Sequence, residues 1–361
     1  MPATTPQQAS STGLALVAMS GGVDSSVAAA LMCEQGYSCT GISFKLTRQD
    51  EQPGGEAALD DARRVAEKLG ISHSVLDLSE LFENNVIRPF IQSYEEGATP
   101  NPCIYCNRRI KFAFPLLQNS GFHFNFYATG HYAQTEKSGE RWLLKKAADL
   151  KKDQSYVLYS LSQETLALCR FPLGGLKKSE VREIAESRDL GLAKKQESQD
   201  ICFVPDGDHG AFMERFTGKQ YPHGEILDLN GKVIGRHEGL VRYTLGQRRG
   251  LRVALNRPLY VCAIDAGQNT ITLGPENSLY SKTLTADRIN LIACSSLEKP
   301  MKVKAKTRYM QQEHPATVLQ TGPDEIRLEF DEAQRALTPG QAAVLYDGDI
   351  VVGGGVIRAV G

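Results

Sequence analysis

The chain has 361 residues and a mass of 39.6 kDa, room for two or three domains of ordinary size. Hydrophobic residues make up 41% and charged residues 23%, which excludes collagen, coiled coil and wholesale disorder. The 41 basic and 42 acidic side chains exclude a uniformly basic protein but leave room for a local basic stripe.

No apolar run approaches the roughly 20 residues that a membrane helix needs. The first Lys or Arg is Lys45, so neither a secretory signal nor a transit peptide is expected and the cytoplasm is the expected location. Eight cysteines scattered over such a chain argue against a disulfide framework.

Residues 1–12 are polar and read as a loose, disordered tail. Residues 13–19 form a short apolar run, a buried parallel strand that stops at a glycine turn. A helix is expected over Ser25–Gln35, a strand over Cys39–Phe44, a mobile loop over 49–56, an amphipathic helix over Asp60–Leu69 and a strand over Ile71–Leu78. A further strand, Phe124–Thr129, runs into Gly130-His131-Tyr132. This alternation predicts an α/β domain over 13–208, built on a parallel, Rossmann-like sheet. After Pro205 short alternating segments are separated by turn signals at 229–231, 265–267 and 346–348. They predict a small central β-rich module over 209–280 and a C-terminal β-barrel over 281–361.

Residues 20–26 read SGGVDSS between the first strand and the first helix. Gly21 and Gly22 permit close backbone approach, and the helix start offers N–H groups to an anion. Ser20, Ser25 and Ser26 add hydroxyl donors. Asp24 would repel phosphate unless a cation sits between, which points to magnesium or to a helix cap. No Lys follows the glycines, so this is not a Walker loop. The plainer alternative is a capped helix after a glycine turn.

SGGVDSS resembles the PP-loop of the N-type ATP pyrophosphatases, which cleave ATP between the α and β phosphates and transfer AMP to a carbonyl-type oxygen. That resemblance implies ATP with Mg2+, held by Ala18, Met19, Ser20, Gly21, Gly22, Val23, Asp24 and Ser25. It adds Gly130 against the nucleotide and Phe44 against adenine, where relatives usually carry Met or Leu.

Five further segments narrow the choice: TPNPCIYCNRRIKF at 99–112, GHY at 130–132, KDQSYVLY at 152–159, ESQDICF at 197–203 and LGQRRG at 245–250. In this order they resemble the tRNA-specific 2-thiouridylase family, from Val17 to about Val356. The resemblance implies 2-thiolation of the wobble uridine, position 34, of tRNAs of Lys, Glu and Gln type. Adenylation of the C2 oxygen, with release of pyrophosphate, turns a poor leaving group into AMP. It implies that Cys202 receives a persulfide sulfur from a cysteine desulfurase or sulfur-relay protein. Cys106 then attacks, releasing sulfide or closing a transient disulfide. Arg108, Arg109 and Lys111 lie close in sequence to Cys106, a basic setting in which a thiolate is expected.

Cys103 departs from the family, where Asp is common. One reading makes Cys103, Cys106 and Cys202 ligands of a 4Fe–4S cluster with one open iron; the other makes Cys103 a small polar residue in the base pocket. Both stay open on the sequence.

Lys302, Lys304, Lys306 and Arg308 in KVKAKTR would share one face of a strand, ~6.6 Å apart, close to the spacing of successive phosphates. The alternative is an edge strand guarded by lysines. The resemblance implies tRNA contacts at Arg308, Tyr309, Gln341, Lys152, Asp153 and Gln154, and a target-base pocket at Asn101, Pro102, Cys103 and His131. Lys145, Lys146 and Lys151 extend the basic cluster. The other histidines show no metal-ligand spacing, and Cys33, Cys39, Cys169, Cys262 and Cys294 read as core or surface.

The partners expected are therefore tRNA and a sulfur donor, with no membrane and no DNA. A PP-loop synthetase or amidotransferase acting on a small molecule is the competing enzyme. It would need an ammonia source, but residue 2 is Pro rather than a nucleophilic Cys, and no glutaminase domain fits the length. A non-catalytic tRNA-binding or sulfur-carrier protein would have lost SGGVDSS or Cys202, and both are intact.

Overall fold

Among the described residues seven strands precede residue 171: β1 (Leu14–Ala18), β2 (Ser38–Lys45), β3 (Ser72–Asp77), β4 (Phe126–Ala128), β5 (Gln134–Ser138), β6 (Arg141–Lys145) and β7 (Cys169–Arg170). Five of them form a parallel sheet of order β3-β2-β1-β4-β7. The structure, a computed structural model, describes residues 12–47, 55–191, 201–204, 206–251, 253 and 258–361. The expected tail up to residue 11, the loop at 49–54 and residues 197–200 of the second cysteine segment lie outside these.

The expected strands and helices of this half are present, with ends shifted by a few residues. β1 is apolar on both faces because both are covered. Ala15 and Val17 join a core with α1 (Val23–Glu34) and α2 (Gly55–Leu69), whereas Leu16 packs on the other side with Ile42, Tyr127, Ile104 and Phe112. α1 is rich in alanine, with Ala28, Ala29 and Ala30 fully buried, so it approaches the sheet closely.

From β1 the chain steps outward through β2 and β3, then returns to place β4 on β1's other side. The carboxyl ends of β1 and β4 therefore flank a topological switch point, the crevice where open α/β sheets bind ligands. The approach there is tight. A Cβ on Gly130, just past β4, would lie 2.7 Å from the Asp24 carbonyl carbon and the Ser25 nitrogen of α1.

The β5–β6 hairpin leaves this sheet, although the sequence reading places it in the α/β domain. A two-stranded hairpin is marginal alone, and it gains partners at the far end of the chain. Lys145 of β6 pairs with Ile350, and Arg141 donates to the Ile292 and Leu291 carbonyls at 2.8 and 3.2 Å.

A four-stranded sheet follows, built from β8 (Gly224–Leu227), β9 (Val233–His237), β10 (Tyr260–Asp265) and β11 (Thr270–Gly274) around Ile226, Val261, Ile271 and Leu273. The last six strands are β12 (Tyr280–Leu291), β13 (Met301–Lys306), β14 (His314–Gly322), β15 (Glu325–Arg335), β16 (Ala342–Asp347) and β17 (Ile350–Val360). They run β12-β15-β14-β13-β16-β17, and pairing of β12 with β17 closes them into a barrel without free edges.

β13 sits between β14 and β16, so its lysines guard no edge. Lys302 and Lys304 are exposed and Lys306 is half-buried, while Val303 and Ala305 point into the barrel. The strand ends at Lys306, so Arg308 is not on this face, contrary to the sequence reading. It turns inward, where Nη2 donates to the Leu245 and Ala336 carbonyls, both at 3.1 Å, and to Thr338 Oγ1 at 2.8 Å. Arg308 thus fastens the segment after β9 to the barrel. Among the described residues no helix is long and apolar enough to cross a membrane.

Gly130→Ala tests the close approach. The added methyl meets backbone rather than a movable side chain, so a loss of about 1–3 kcal/mol is expected in denaturant unfolding.

Candidate active site

The phosphate loop is self-braced. Ser25 Oγ accepts from the Ser20 N–H at 3.0 Å and lies 3.2 Å from Ser20 Oγ, while the Ser25 and Ser26 hydroxyls donate to the Gly22 carbonyl at 3.1 and 2.9 Å. Gly21 has φ +69°, and a Cβ there would meet the Ala58 carbonyl oxygen at 2.0 Å. Val23, Asp24 and Ser25 form the first turn of α1, whose N–H groups have no partner within the helix. Ala18 ends β1, and the Met19 N–H donates to the Ile42 carbonyl at 2.8 Å. Phe44, half-buried near the end of β2, packs with Leu76.

Asp24 does not cap α1. Its carboxylate accepts from the Tyr132 hydroxyl at 2.8 Å and from Lys178 Nζ at 2.6 and 2.8 Å. The cation that the sequence argument requires beside Asp24 is supplied by the chain itself. Magnesium associated with ATP phosphates characteristically keeps several waters and needs few protein carboxylates.

The cysteine segments come together through apolar packing. Asn101 caps the helix Pro102–Cys106, its Oδ1 accepting from the Cys103 N–H at 3.1 Å. Cys103 and Cys106 are three residues apart and so share one helix face. The helix continues as a wider π-helical turn, Asn107–Lys111, in which the Phe112 N–H donates to the Asn107 carbonyl at 3.0 Å. That i→i+5 closure carries Lys111 back to the Cys106 side. Phe203, next to Cys202, is 2% exposed. Its ring lies 5.7, 5.2 and 5.3 Å from those of Phe82, Phe90 and Phe212, in the cluster that also holds Cys106 and Ile110. Burying Phe203 therefore delivers Cys202 to the Cys106 helix.

Cys103 and Cys202 are exposed and Cys106 is buried. Desolvation raises the pKa of all three, and the Lys111 ammonium opposes it at each. At Cys106 desolvation wins and pushes the thiol up to about 12. The expected thiolate is thus not the resting form here, because burial outweighs the basic neighbour. Of the three basic residues beside Cys106 in sequence, Arg108 and Arg109 are exposed, Arg109 lying over the Tyr105 ring at 5.5 Å. Lys111 is the one that acts on the thiols. Desolvation works against its charge, but the three sulfurs outweigh this and its pKa is raised.

His131 joins the two halves of the site. It follows Gly130, its Nδ1 lies 2.8 Å from Thr129 Oγ1, and its ring lies 5.7 Å from that of Phe112. Desolvation and then Lys111 lower its pKa to about 3, so it is neutral at physiological pH. Tyr309 reaches in from the barrel, its ring tilted 48° to that of Tyr156 at 6.0 Å. Desolvation, Asp153 and Cys103 push its phenol up to about 12.

Several residues that the resemblance assigns to tRNA are fasteners in this structure. Gln341 Nε2 donates to the Thr99 and Pro100 carbonyls at 2.9 and 3.3 Å, and the Thr99 N–H donates to the Pro339 carbonyl at 2.9 Å. Buried Asp153 accepts from the N–H groups of Ala147 and Ser155 and from the Ser155 hydroxyl. Gln154 Oε1 accepts from the Tyr132 N–H at 2.9 Å, and Lys152 is half-buried. The basic cluster is largely neutralised, since Lys145 pairs with Glu136 and Asp349 and Lys146 with Glu313. Among the described residues no three His, Cys, Asp or Glu side chains converge to hold a metal ion.

Sequence reasoning missed Lys178, Phe203 and the clamp of residues 339–341 on Thr99, since each acts on a segment remote in sequence. Lys111 was visible as a neighbour of Cys106 but could not be told from Arg108 and Arg109 without the π-helical turn.

Family models match most of the chain. A tRNA methyl transferase HUP domain matches residues 14–206, a tRNA methyl transferase PRC-barrel domain residues 210–275, and an aminomethyltransferase beta-barrel domain residues 281–357. The tRNA-specific 2-thiouridylase MnmA of Acetivibrio thermocellus is 46% identical over 95% of this chain and 98% of its own. The proteins of the same name from Clostridioides difficile and Halothermothrix orenii are 46% and 45% identical, over 95% of this chain and 97% and 98% of theirs. Solved structures are more distant. The U34-tRNA thiolase NcsA from Methanococcus maripaludis, with its 4Fe-4S cluster, is 16% identical with a TM-score of 0.35, over 58% of this chain and 71% of that one, a likeness too slight to bear on the site. With the three domain matches and relatives at this identity over almost the whole length, the chain belongs to the tRNA-specific 2-thiouridylase family.

Proposed function

We propose that this protein is an ATP-dependent tRNA-uridine 2-sulfurtransferase acting on the wobble uridine of tRNA in the cytoplasm. The observation that carries the reading is the approach of Cys202 to the helix that carries Cys106, joined through Lys111, Phe112 and His131 to a phosphate loop at the switch point. The names of the matched domains speak of methyl transfer, which needs neither paired thiols nor such a loop. Thiolation uses both, in agreement with the names of the full-length relatives. A small-molecule synthetase would leave both cysteine segments without a task.

ATP, carrying its magnesium, takes the loop from Ala18 to Ser25, with Gly130 at its side and adenine on Phe44. The uridine C2 oxygen attacks the α phosphorus; an O–P bond forms and pyrophosphate leaves with the electrons of the bond that breaks. The terminal sulfur of a persulfide on Cys202 then attacks C2. Cys106 sulfur attacks Cys202 Sγ, the S–S bond to the transferred sulfur breaks, and AMP departs. The base gains a thiocarbonyl, the enzyme is left with a Cys106–Cys202 disulfide, and an external thiol reduces it. Release of hydrosulfide from the persulfide, followed by its attack on C2, gives the same product. Cys103, with Asn101, Pro102 and His131, lines the base pocket.

The β13 face of Lys302, Lys304 and Lys306 supplies phosphate contacts, with Tyr309 and Lys152 nearer the base. Arg308, Asp153, Gln154 and Gln341 shape this surface from within, through the bonds described above.

Cys202→Ser should abolish 2-thiouridine, read by nucleoside mass spectrometry, while tRNA affinity and pyrophosphate release persist; unchanged thiolation would sink the assignment. Alkylation followed by peptide mass spectrometry at pH 8 should label Cys103 and Cys202 before Cys106. A pKa of about 12 leaves Cys106 protonated there, and its labelling should rise as pH approaches that value. Lys304→Gln should weaken binding to all tRNA substrates alike and reduce the salt slope of log K by about 1.

A further inference from the structure

Lys111 has no part in the scheme above, yet it is the cation at its centre. The π-helical turn Asn107–Lys111 aims it at Cys106, and it acts on Cys103, Cys106 and Cys202 together and on His131. Three sulfurs from two remote segments thus share one ammonium. Other inward cations of this domain are matched: Lys178 by Asp24, Lys145 by Glu136 and Asp349, and Lys146 by Glu313. Among the described residues no carboxylate pairs with Lys111, although it is half-buried. Keeping such a charge without a counter-ion is costly for stability, and sites where that cost is kept are sites where charge is used. Among the described residues, what faces it is sulfur, whose anionic form burial disfavours at rest.

We infer that Lys111 is the charge-stabilising residue of the sulfur-transfer step, holding the anionic sulfur of the Cys202 persulfide and then the attacking Cys106 sulfur. This deepens the thiolation reading and rests on it. No bond to Lys111 forms or breaks. The persulfide proton goes to solvent, its electron pair forms the C–S bond to C2, and AMP leaves with the C2–O pair, as in the scheme above. The ammonium supplies a fixed positive charge while negative charge passes from sulfur to the AMP oxygen. Because the adenylation step develops its charge at the phosphate loop, that half-reaction is independent of Lys111.

The test compares the full-length protein with Lys111→Met and Lys111→Arg, using unmodified tRNA transcript, ATP and inorganic polysulfide as the sulfur source. Tm and tRNA Kd report the fold, single-turnover pyrophosphate release reports adenylation, and 2-thiouridine by mass spectrometry reports sulfur transfer. In Lys111→Met, Tm should not fall and Kd and pyrophosphate release should stay within about twofold, while 2-thiouridine formation falls about a hundredfold, and Lys111→Arg should recover most of that loss. Unchanged thiolation in Lys111→Met overturns the inference, as does a parallel fall in pyrophosphate release, which would make Lys111 a group for ATP or for folding. Wild-type protein that releases pyrophosphate but never thiolates overturns the sulfurtransferase reading itself, and this inference with it.

Discussion

Burial of the Phe203 ring is the interaction on which the site depends. Cys106 and Cys202 belong to segments far apart in the chain, and among the described residues no strand pairing connects them. They meet because Phe203, fully enclosed among Phe82, Phe90 and Phe212, shares a core with the apolar side of the Cys106 helix. An aromatic anchor brings an area of contact large enough to fix a segment without fixing its neighbour. Cys202, one residue away, stays exposed.

The barrel is tied to this chemistry by main-chain contacts. Gln341 and Pro339 grip Thr99 and Pro100 just before the capped cysteine helix, and Arg308 secures Thr338 and Ala336 next to that grip. Carbonyl acceptors in such a junction would be costly to leave unpaired, so the polar side chains there serve the joint. The barrel and the scaffold of the thiols are consequently linked by hydrogen bonds from Leu245 through Arg308, Thr338 and Gln341 to the segment before Cys103.

Electrostatics divides the site into two regimes. Around the phosphate loop charges are matched, with Asp24 held by Lys178 and Tyr132. Around the thiols they are not. Desolvation disfavours the anion at each thiol, Cys106 included, and Lys111 is the cation that opposes it at all three. A thiol stored in protonated form is protected from adventitious oxidation, since the thiolate is the reactive species.

The sequence by itself determined the elements and the chemistry. Period-2 and period-3.6 apolar patterns located the strands and helices of the parallel sheet. SGGVDSS, Cys106 and Cys202 lie in contiguous motifs that carry the family resemblance, and turn signals marked the β-rich half. These are local properties, readable within a few residues. What only the tertiary structure decided are relations between remote segments. The β5–β6 hairpin joins the far sheet because a lone hairpin lacks partners. Arg308 turns inward because its strand ends at Lys306. Asp24 finds its cation in Lys178. The raised pKa of Cys106 is likewise a tertiary outcome: sequence showed three basic neighbours, but packing set the desolvation that outweighs them, and one π-helical turn chose Lys111 as the cation that faces the sulfurs.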